Sequence, residues 1–191
     1  MPAAGERETS AMSLRGAWDT QAERWIRSAR EPGLDSYWRF HGRRFLELLP
    51  DPGQLTLDVG GGEGRVGRDL RRRGHRVVQI DASMAMSLAA ATHDEPVPSM
   101  VADAARLPIG DGTVDLVVAF MSLHDIDDLH GAVAEIARVL VAAGRLCLAV
   151  VHPMNSSGHF SRFSASADSS SSTTTSRIGA IARTSPPAAR R

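Results

Sequence analysis

The stretch Leu55-Thr-Leu-Asp58-Val-Gly60-Gly-Gly62-Glu-Gly64 decides how the rest of this chain is read. It is a short apolar run, bounded upstream by the turn signal Asp51-Pro-Gly53, that passes straight into glycines. That order predicts a buried strand handing over to a tight loop. Downstream, Gly64 to Arg73 predicts a helix closed by Gly74, and His75 to Ile80 predicts a second strand ending at Asp81. A second helix is expected from Ser83 to Thr92, a third strand from Ser99 to Ala102 ending at Asp103, and a strongly apolar fourth strand from Val114 to Phe120. Asp125 to Leu140 then predicts a helix with Leu129, Val133, Ile136 and Leu140 on one stripe, and Gly144 precedes a fifth strand, Arg145 to Val151. Strands alternating with helices imply the α/β class, a doubly wound parallel sheet with both faces covered.

Outside this core the composition shifts twice. Residues 1–11 are small and polar and are expected to form a flexible leader; residues 12–50 carry Trp18, Trp25, Tyr37, Trp38, Phe40 and Phe45 at mixed helical spacings and are expected to form a helical cap. The α/β core is placed at 51–153. Residues 154–191, rich in Ser, Thr, Ala and Arg, offer almost no apolar period and are expected to be a disordered tail with no strand pattern. Lys plus Arg balances Asp plus Glu at 22 each, so the summed field gives no reason to expect nucleic acid or an anionic membrane as partner. One cysteine, Cys147, excludes an internal disulfide. With neither a secretory apolar segment nor a run of about 20 apolar residues, a cytoplasmic location is expected.

In a parallel sheet, nucleotide ligands bind in the crevice at the carboxyl ends of the strands, where the glycine loop is expected to sit. Two registers compete for these glycines. Gly62-Glu-Gly64-Arg-Val-Gly67 satisfies the dinucleotide fingerprint, with Asp81 as its ribose acid, and would make the chain an NAD(P)-dependent oxidoreductase. Asp58-x-Gly60-x-Gly62-x-Gly64 fits better where the strand ends, because the apolar run stops at Val59. A binding module without catalysis is the third reading.

Four blocks in order carry a resemblance. Leu57-Asp-Val-Gly-Gly-Gly-Glu-Gly64, Val78-Gln-Ile-Asp81-Ala-Ser-Met84, Ala102-Asp103-Ala104-Ala-Arg-Leu-Pro108 and Asp111-Gly-Thr-Val-Asp115-Leu-Val-Val118 resemble the motifs of class I S-adenosylmethionine-dependent methyltransferases, in the ubiquinone-biosynthesis-like small-molecule branch. The resemblance implies a Rossmann-like sheet, S-adenosyl-L-methionine as cofactor and a small-molecule methyl acceptor. It implies that Gly60, Gly61, Gly62 and Gly64 line the cofactor, with Asp58 near its ammonium group. Asp81 would accept both ribose hydroxyls, since two carboxylate oxygens meet a vicinal diol. Asp103 would accept from the adenine amino group, beside the Ala104 N–H. Ala82, Met84 and Phe120 complete the expected lining, and Tyr37 and Arg39 of the helical cap are candidates to cover it.

His124, just after the fourth strand, is the candidate catalytic base, because imidazole titrates near neutral pH. His41 and His152 are further candidates to border the pocket, ranked behind His124. The seven histidines show no metal-ligand spacing, so no metal is expected. The family's sheet continues past the fifth strand with a helix and antiparallel edge strands, which are not visible in this sequence. The expectation is therefore a truncated or frame-altered end near residue 164, with an uncovered fifth strand.

Overall fold

The computed structural model describes residues 13–31 and 36–151, together with the backbone pairing of Ala180–Ile181. The leader, His152 and the tail other than Ala180–Ile181 lie outside the described residues.

Five strands form the parallel part of one sheet: β1 (Thr56–Val59), β2 (Val77–Asp81), β3 (Ser99–Val101), β4 (Val114–Phe120) and β5 (Leu140–Ala149). Their spatial order is β3-β2-β1-β4-β5. The order reverses direction between β1 and β4, and such a switch point opens a crevice above the strand ends. A sixth strand, β6 (Ala180–Ile181), pairs antiparallel with β5 through Leu146 and Cys147. This corrects the expectation of a tail without any strand: two of its residues bond to the sheet edge.

Each crossover is built as its sequence suggests. The chain enters β1 tied by Asp115, whose Oδ2 accepts from the Gln54 and Leu55 amides at 2.5 and 2.7 Å. α3 (Arg65–Arg72) follows the glycine loop, and α4 (Met84–Ala91) starts at an N-cap, Ser83, that accepts from the Met86 amide. Apolar clusters fill both faces of the sheet. Val66, Leu70, Val97, Leu116 and Phe120 pack on one, and Leu57, Ile80, Val117, Ile136 and Val139 on the other.

Three sequence expectations are corrected. The helix expected from Asp125 divides into a 3-10 turn (Leu123–Asp125) and α5 (Leu129–Val139), capped by Asp128, whose Oδ1 accepts from the Gly131 amide at 2.8 Å. Its buried face is Ala132, Ile136 and Val139, whereas Leu129 and Val133 are exposed. The apolar stripe was one step out of phase because Ala132, not Leu129 or Val133, meets the sheet. The fifth strand, expected from Arg145 to Val151, instead leaves α5 directly at Leu140 and ends at Ala149, and the residues between Leu140 and Arg145 bulge from the ladder, with Ala143 at φ +68°.

α1 (Leu14–Arg30) lies over the strand ends, and the cap continues with a π-helical turn (Tyr37–His41) and α2 (Gly42–Glu47), whose Phe45 and Leu46 pack on the sheet face with Leu70 and Phe120. Both ends of α1 are strapped to the core. The Leu14 amide donates to Asp127 at 3.0 Å, and Arg30 donates to Glu63 at 3.1 Å and to the Ala89 carbonyl at 2.9 Å.

Candidate active site

A cavity of about 500 Å³ opens at the carboxyl ends of β1, β2 and β4 under α1. Its floor is the loop after β1. Gly60 and Gly61 donate to the Ile80 carbonyl at 2.7 and 3.2 Å, which folds the loop back onto β2. Gly60 sits at φ +69°, and a Cβ there would collide with Ser122; the Ser122 hydroxyl donates to the Val59 carbonyl at 2.6 Å, closing the loop against the end of β4. Gly62, at φ +57°, faces open space where a Cβ would meet nothing within 4 Å. Its carbonyl accepts from Gln79 at 2.9 Å.

Three strand-end acids border this floor. Asp81 is already engaged: its Oδ2 accepts from the Gly62 amide at 2.9 Å and its Oδ1 from the Ser83 amide at 2.8 Å. Each oxygen keeps a second lone pair for a ligand. Burial lifts its pKa, and those two N–H bonds pull it back. Asp58 differs. It is 1% exposed, its Oδ2 has no hydrogen-bond partner, and burial together with the Asp81 charge pushes its pKa up to about 7. A buried carboxylate oxygen left unmatched beside a cavity is costly unless a donor arrives with the ligand. Asp103 closes the row with a turn, its Oδ1 accepting from the Ala105 amide at 2.9 Å.

The structure brings Asp58, Gly60, Gly61, Gly62, Asp81, Ala82, Asp103, Ala104, Phe120 and His124 together around the one cavity, with His41 at its border. Four expected lining residues lie elsewhere. Gly64, the αL N-cap of α3, turns its missing Cβ toward Ala90 and the Arg68 guanidinium, so it allows α3 and α4 to approach and does not face the ligand space. Met84 is 64% exposed on the outer face of α4, and Met86, half a turn on, takes the cavity-facing position. Tyr37 is buried between the cap and the sheet, its hydroxyl donating to Asp69 at 2.8 Å and its ring edge-on to Phe120 at 5.1 Å. Arg39 points to solvent over the exposed Phe40 ring. The π-helical turn shifts the phase of this segment, which sends its side chains to directions that ordinary helical spacing does not give.

Sequence reading missed several lining residues. Trp18 and Trp25 project from α1 in an edge-to-face pair at 5.6 Å; their i, i+7 spacing was the available signal. Arg15, Glu63, Arg65 and Met121 were also missed. Glu63 is 2% exposed and is held by Arg68 at 2.7 and 2.8 Å as well as by Arg30, a buried ion cluster joining the glycine loop, α3 and the end of α1. Met121 carries a positive φ of +54°, and this strained residue turns the chain sharply from β4 into the His124 loop.

Fold and cavity together define a nucleotide-cofactor-binding α/β protein whose ligand ledge runs across the ends of β1, β2 and β3. Residues 57–148 match the family model described as a methyltransferase domain, which supports a class I S-adenosylmethionine-dependent methyltransferase domain of the small-molecule type over this part of the chain. Demethylmenaquinone methyltransferases are among its relatives. That of Corynebacterium urealyticum is 36% identical over 117 residues, covering 61% of this chain and 49% of the relative. That of Mycobacterium tuberculosis is 36% identical over 114 residues, covering 60% and 47%. The chain thus spans about half the length of the curated relatives it matches. A Haloferax volcanii methyltransferase solved with its activator superposes with a TM-score of 0.61 at 27% identity, over 72% of this chain and 60% of that one. A Mesorhizobium loti S-adenosylmethionine-dependent methyltransferase shares the fold, with a TM-score of 0.54 at 23% identity over 63% and 56%.

The dinucleotide register finds no support among these relatives. The geometry agrees: Gly64, its second glycine, faces Ala90 and Arg68, although pyrophosphate needs that glycine for close approach. The residues fit S-adenosyl-L-methionine. Gly62 leaves room for it, Asp58 offers an unmatched acceptor to an ammonium group, and Asp81 offers preoriented oxygens to a diol. None of the described helices is long and apolar enough to cross a membrane.

Proposed function

We propose that the chain transfers the cofactor's methyl group to a small apolar acceptor that enters between α1 and the loop after β4. The observation that carries this reading is the placement of Asp58, Asp81 and Asp103 at successive strand ends around one cavity with the glycine loop. When bound, the cofactor supplies an electrophilic methyl carried on a sulfonium. The protein's part is to hold, orient and exclude water, and oriented reactants alone recover much of the barrier. Asp81 takes the ribose hydroxyls, Asp103 and the Ala104 N–H take the adenine edge, and Asp58 takes the ammonium.

His124 lines the cavity from the 3-10 turn, with its Nε2 3.6 Å from Asp125 Oδ2. There it is placed to accept a proton from an acceptor hydroxyl. Phe120, Met121 and Ile126 supply an apolar wall on the same side. That wall and the relatives' names support a quinol as acceptor class, and demethylmenaquinol is the first compound to assay. Such an assay should lose about 100-fold in kcat on His124→Gln with binding of S-adenosylhomocysteine unchanged; an unaltered kcat would remove His124 from the chemistry. The reading itself is tested by calorimetric titration. S-adenosylhomocysteine should bind and NADH should not, and heat from NADH alone would overturn it.

A further inference from the structure

The summed charge of the chain is zero, but the outer side of the cap is not neutral. From Ser36 to Leu48 the sequence holds Arg39, Arg43 and Arg44 against the single acid Glu47. All three arginines are exposed, and the Arg43 and Arg44 side chains keep most of their surface open although each reaches Glu47, at 3.0 and 3.2 Å. Arg73, the C-cap of α3, adds a fourth guanidinium beside them by donating to the Leu46 carbonyl at 2.8 Å. Among these cations stand large apolar side chains that the core does not bury. Trp38 is 50% exposed and Phe40 62%, and the Arg39 guanidinium carbon sits 5.1 Å from the Phe40 ring centre. Phe40, Arg43, Arg44 and Glu47 follow one another at three- and four-residue steps, which places them along one side of the segment. Its inner side is given to Tyr37, Gly42, Phe45 and Leu46, which are the residues that anchor it.

Aromatic rings set among guanidinium groups suit the boundary between water and anionic lipid. A Trp or Phe ring enters the headgroup layer, while arginine lays its stem along apolar surface and keeps its charge beside phosphate oxygens. Each cation near such a surface strengthens binding about fivefold. A nucleic acid fits less well, because its affinity comes from many phosphate contacts at once and this side carries four cations with an acid among them. We infer that the outward side of the π-helical turn and α2 seats the chain on an anionic membrane surface. Phe40 enters the headgroup layer with Trp38 flanking it, and Arg39, Arg43 and Arg44 pair with lipid phosphates. The attachment is peripheral, since none of the described helices is long and apolar enough to cross a membrane. The same segment borders the cavity through Ser36 and His41, so a chain seated this way holds that edge of its cavity beside the lipid. Such a placement suits an apolar acceptor drawn from the bilayer, while the surface contact itself needs neither cofactor nor acceptor.

The test is sedimentation of the whole chain with vesicles, either of phosphatidylcholine alone or of an equal mixture of phosphatidylcholine and phosphatidylglycerol, beside fluorescence anisotropy with a single-stranded RNA oligonucleotide. The mixed vesicles should bind at least about tenfold more tightly than the neutral ones, and added salt should release the chain. Phe40→Ser should weaken binding to the mixed vesicles about tenfold, and Phe40→Leu should keep most of it. Replacing Arg43 and Arg44 together by Gln should cost about 10- to 25-fold. These positions are exposed, so the melting midpoint followed by circular dichroism should stay near that of the parent chain, which shows the variants to be folded. Equal affinity for the two kinds of vesicle, or affinity untouched by both the Phe40→Ser and the arginine substitutions, would overturn the proposal. So would RNA binding tighter than binding to the mixed vesicles.

Discussion

The two sides of the cavity are built on different terms. Along the ends of β1 and β2 almost every polar group is bonded: Asp81 to two amides, Glu63 to two guanidinium groups, Gln79 to the Gly62 carbonyl, Ser122 to Val59. Beyond the end of β4, His124 and Asp125 are partly exposed and 3.6 Å apart, and Phe120, Met121 and Ile126 line the cavity beside Asp127 and Asp128. The difference teaches where recognition is rigid and where it is adaptable. A binding ledge gains by being preorganised, since its side chains need not be ordered again on binding. On the side proposed for the acceptor, Asp127 and Asp128 accept from the Leu14 and Gly131 amides, and specificity there is proposed to rest on shape and on the cap.

If the ledge is rigid because of its buried ion cluster, Glu63 is where it breaks most severely. Glu63→Ala leaves Arg68 buried without its partner and frees the end of α1. A loss of about 3–5 kcal/mol is expected in denaturant unfolding, and a loss below about 1 kcal/mol would show that the cluster is not what holds loop and cap together. Asp81→Ala comes next. It removes the proposed ribose acceptors and the two amide bonds that shape the loop, and S-adenosylhomocysteine affinity should fall about 100-fold by titration; unaffected affinity would dissolve the ledge as described.

The third effect is a pH dependence centred on Asp58. Its folded pKa of about 7 lies above its ordinary value of 3.8. Between those values the folded chain holds a proton that the unfolded chain has released, so this group's contribution makes the ligand-free fold less stable as pH rises from about 4 to 7, with no further change above. Cofactor binding runs the other way. An ammonium group favours the ionised carboxylate, so affinity for S-adenosylhomocysteine should rise about tenfold from pH 6 to pH 7.5 and level off. Titrations in two buffers of different ionisation heat would show the proton leaving. Asp58→Asn should flatten the curve, and a persistent slope would move the titrating group elsewhere. The smallest effect separates two neighbours on α4. Met84→Ala, on the exposed face, should change affinity by less than about twofold, whereas Met86→Ala, which faces the cavity and the core, should cost stability and affinity together.

The same contrast governs what the sequence revealed. The positions of Asp81 and Asp103 were legible because each closes a strand-like run, and that of Asp58 because it lies one residue before the run meets the glycines, a local pattern that the sheet then aligns. Val114–Phe120 was read with its boundaries intact for the same reason. Gly64 was misread because a positive φ looks alike in sequence whether it serves a ligand or a helix contact. Met84 and Met86 lie in Met-Ala-Met-Ser-Leu-Ala-Ala-Ala, a helix apolar all round, so nothing local says which methionine faces inward. Leu129 and Val133 misled in the same way, because α5 packs through Ala132. The cap was least legible. Its contacts are long-range, such as Leu14 with Asp127 and Arg30 with Glu63, and its π-helical turn breaks the period on which any sequence reading of Tyr37 and Arg39 relied.

The most direct test of the ledge is a crystal structure of the chain with S-adenosylhomocysteine. It should show both ribose hydroxyls on the Asp81 carboxylate while the Gly62 and Ser83 amides stay bonded to it, with adenine toward Asp103. Adenosine bound away from the ends of β1, β2 and β3, or with its ribose out of reach of Asp81, would contradict the account.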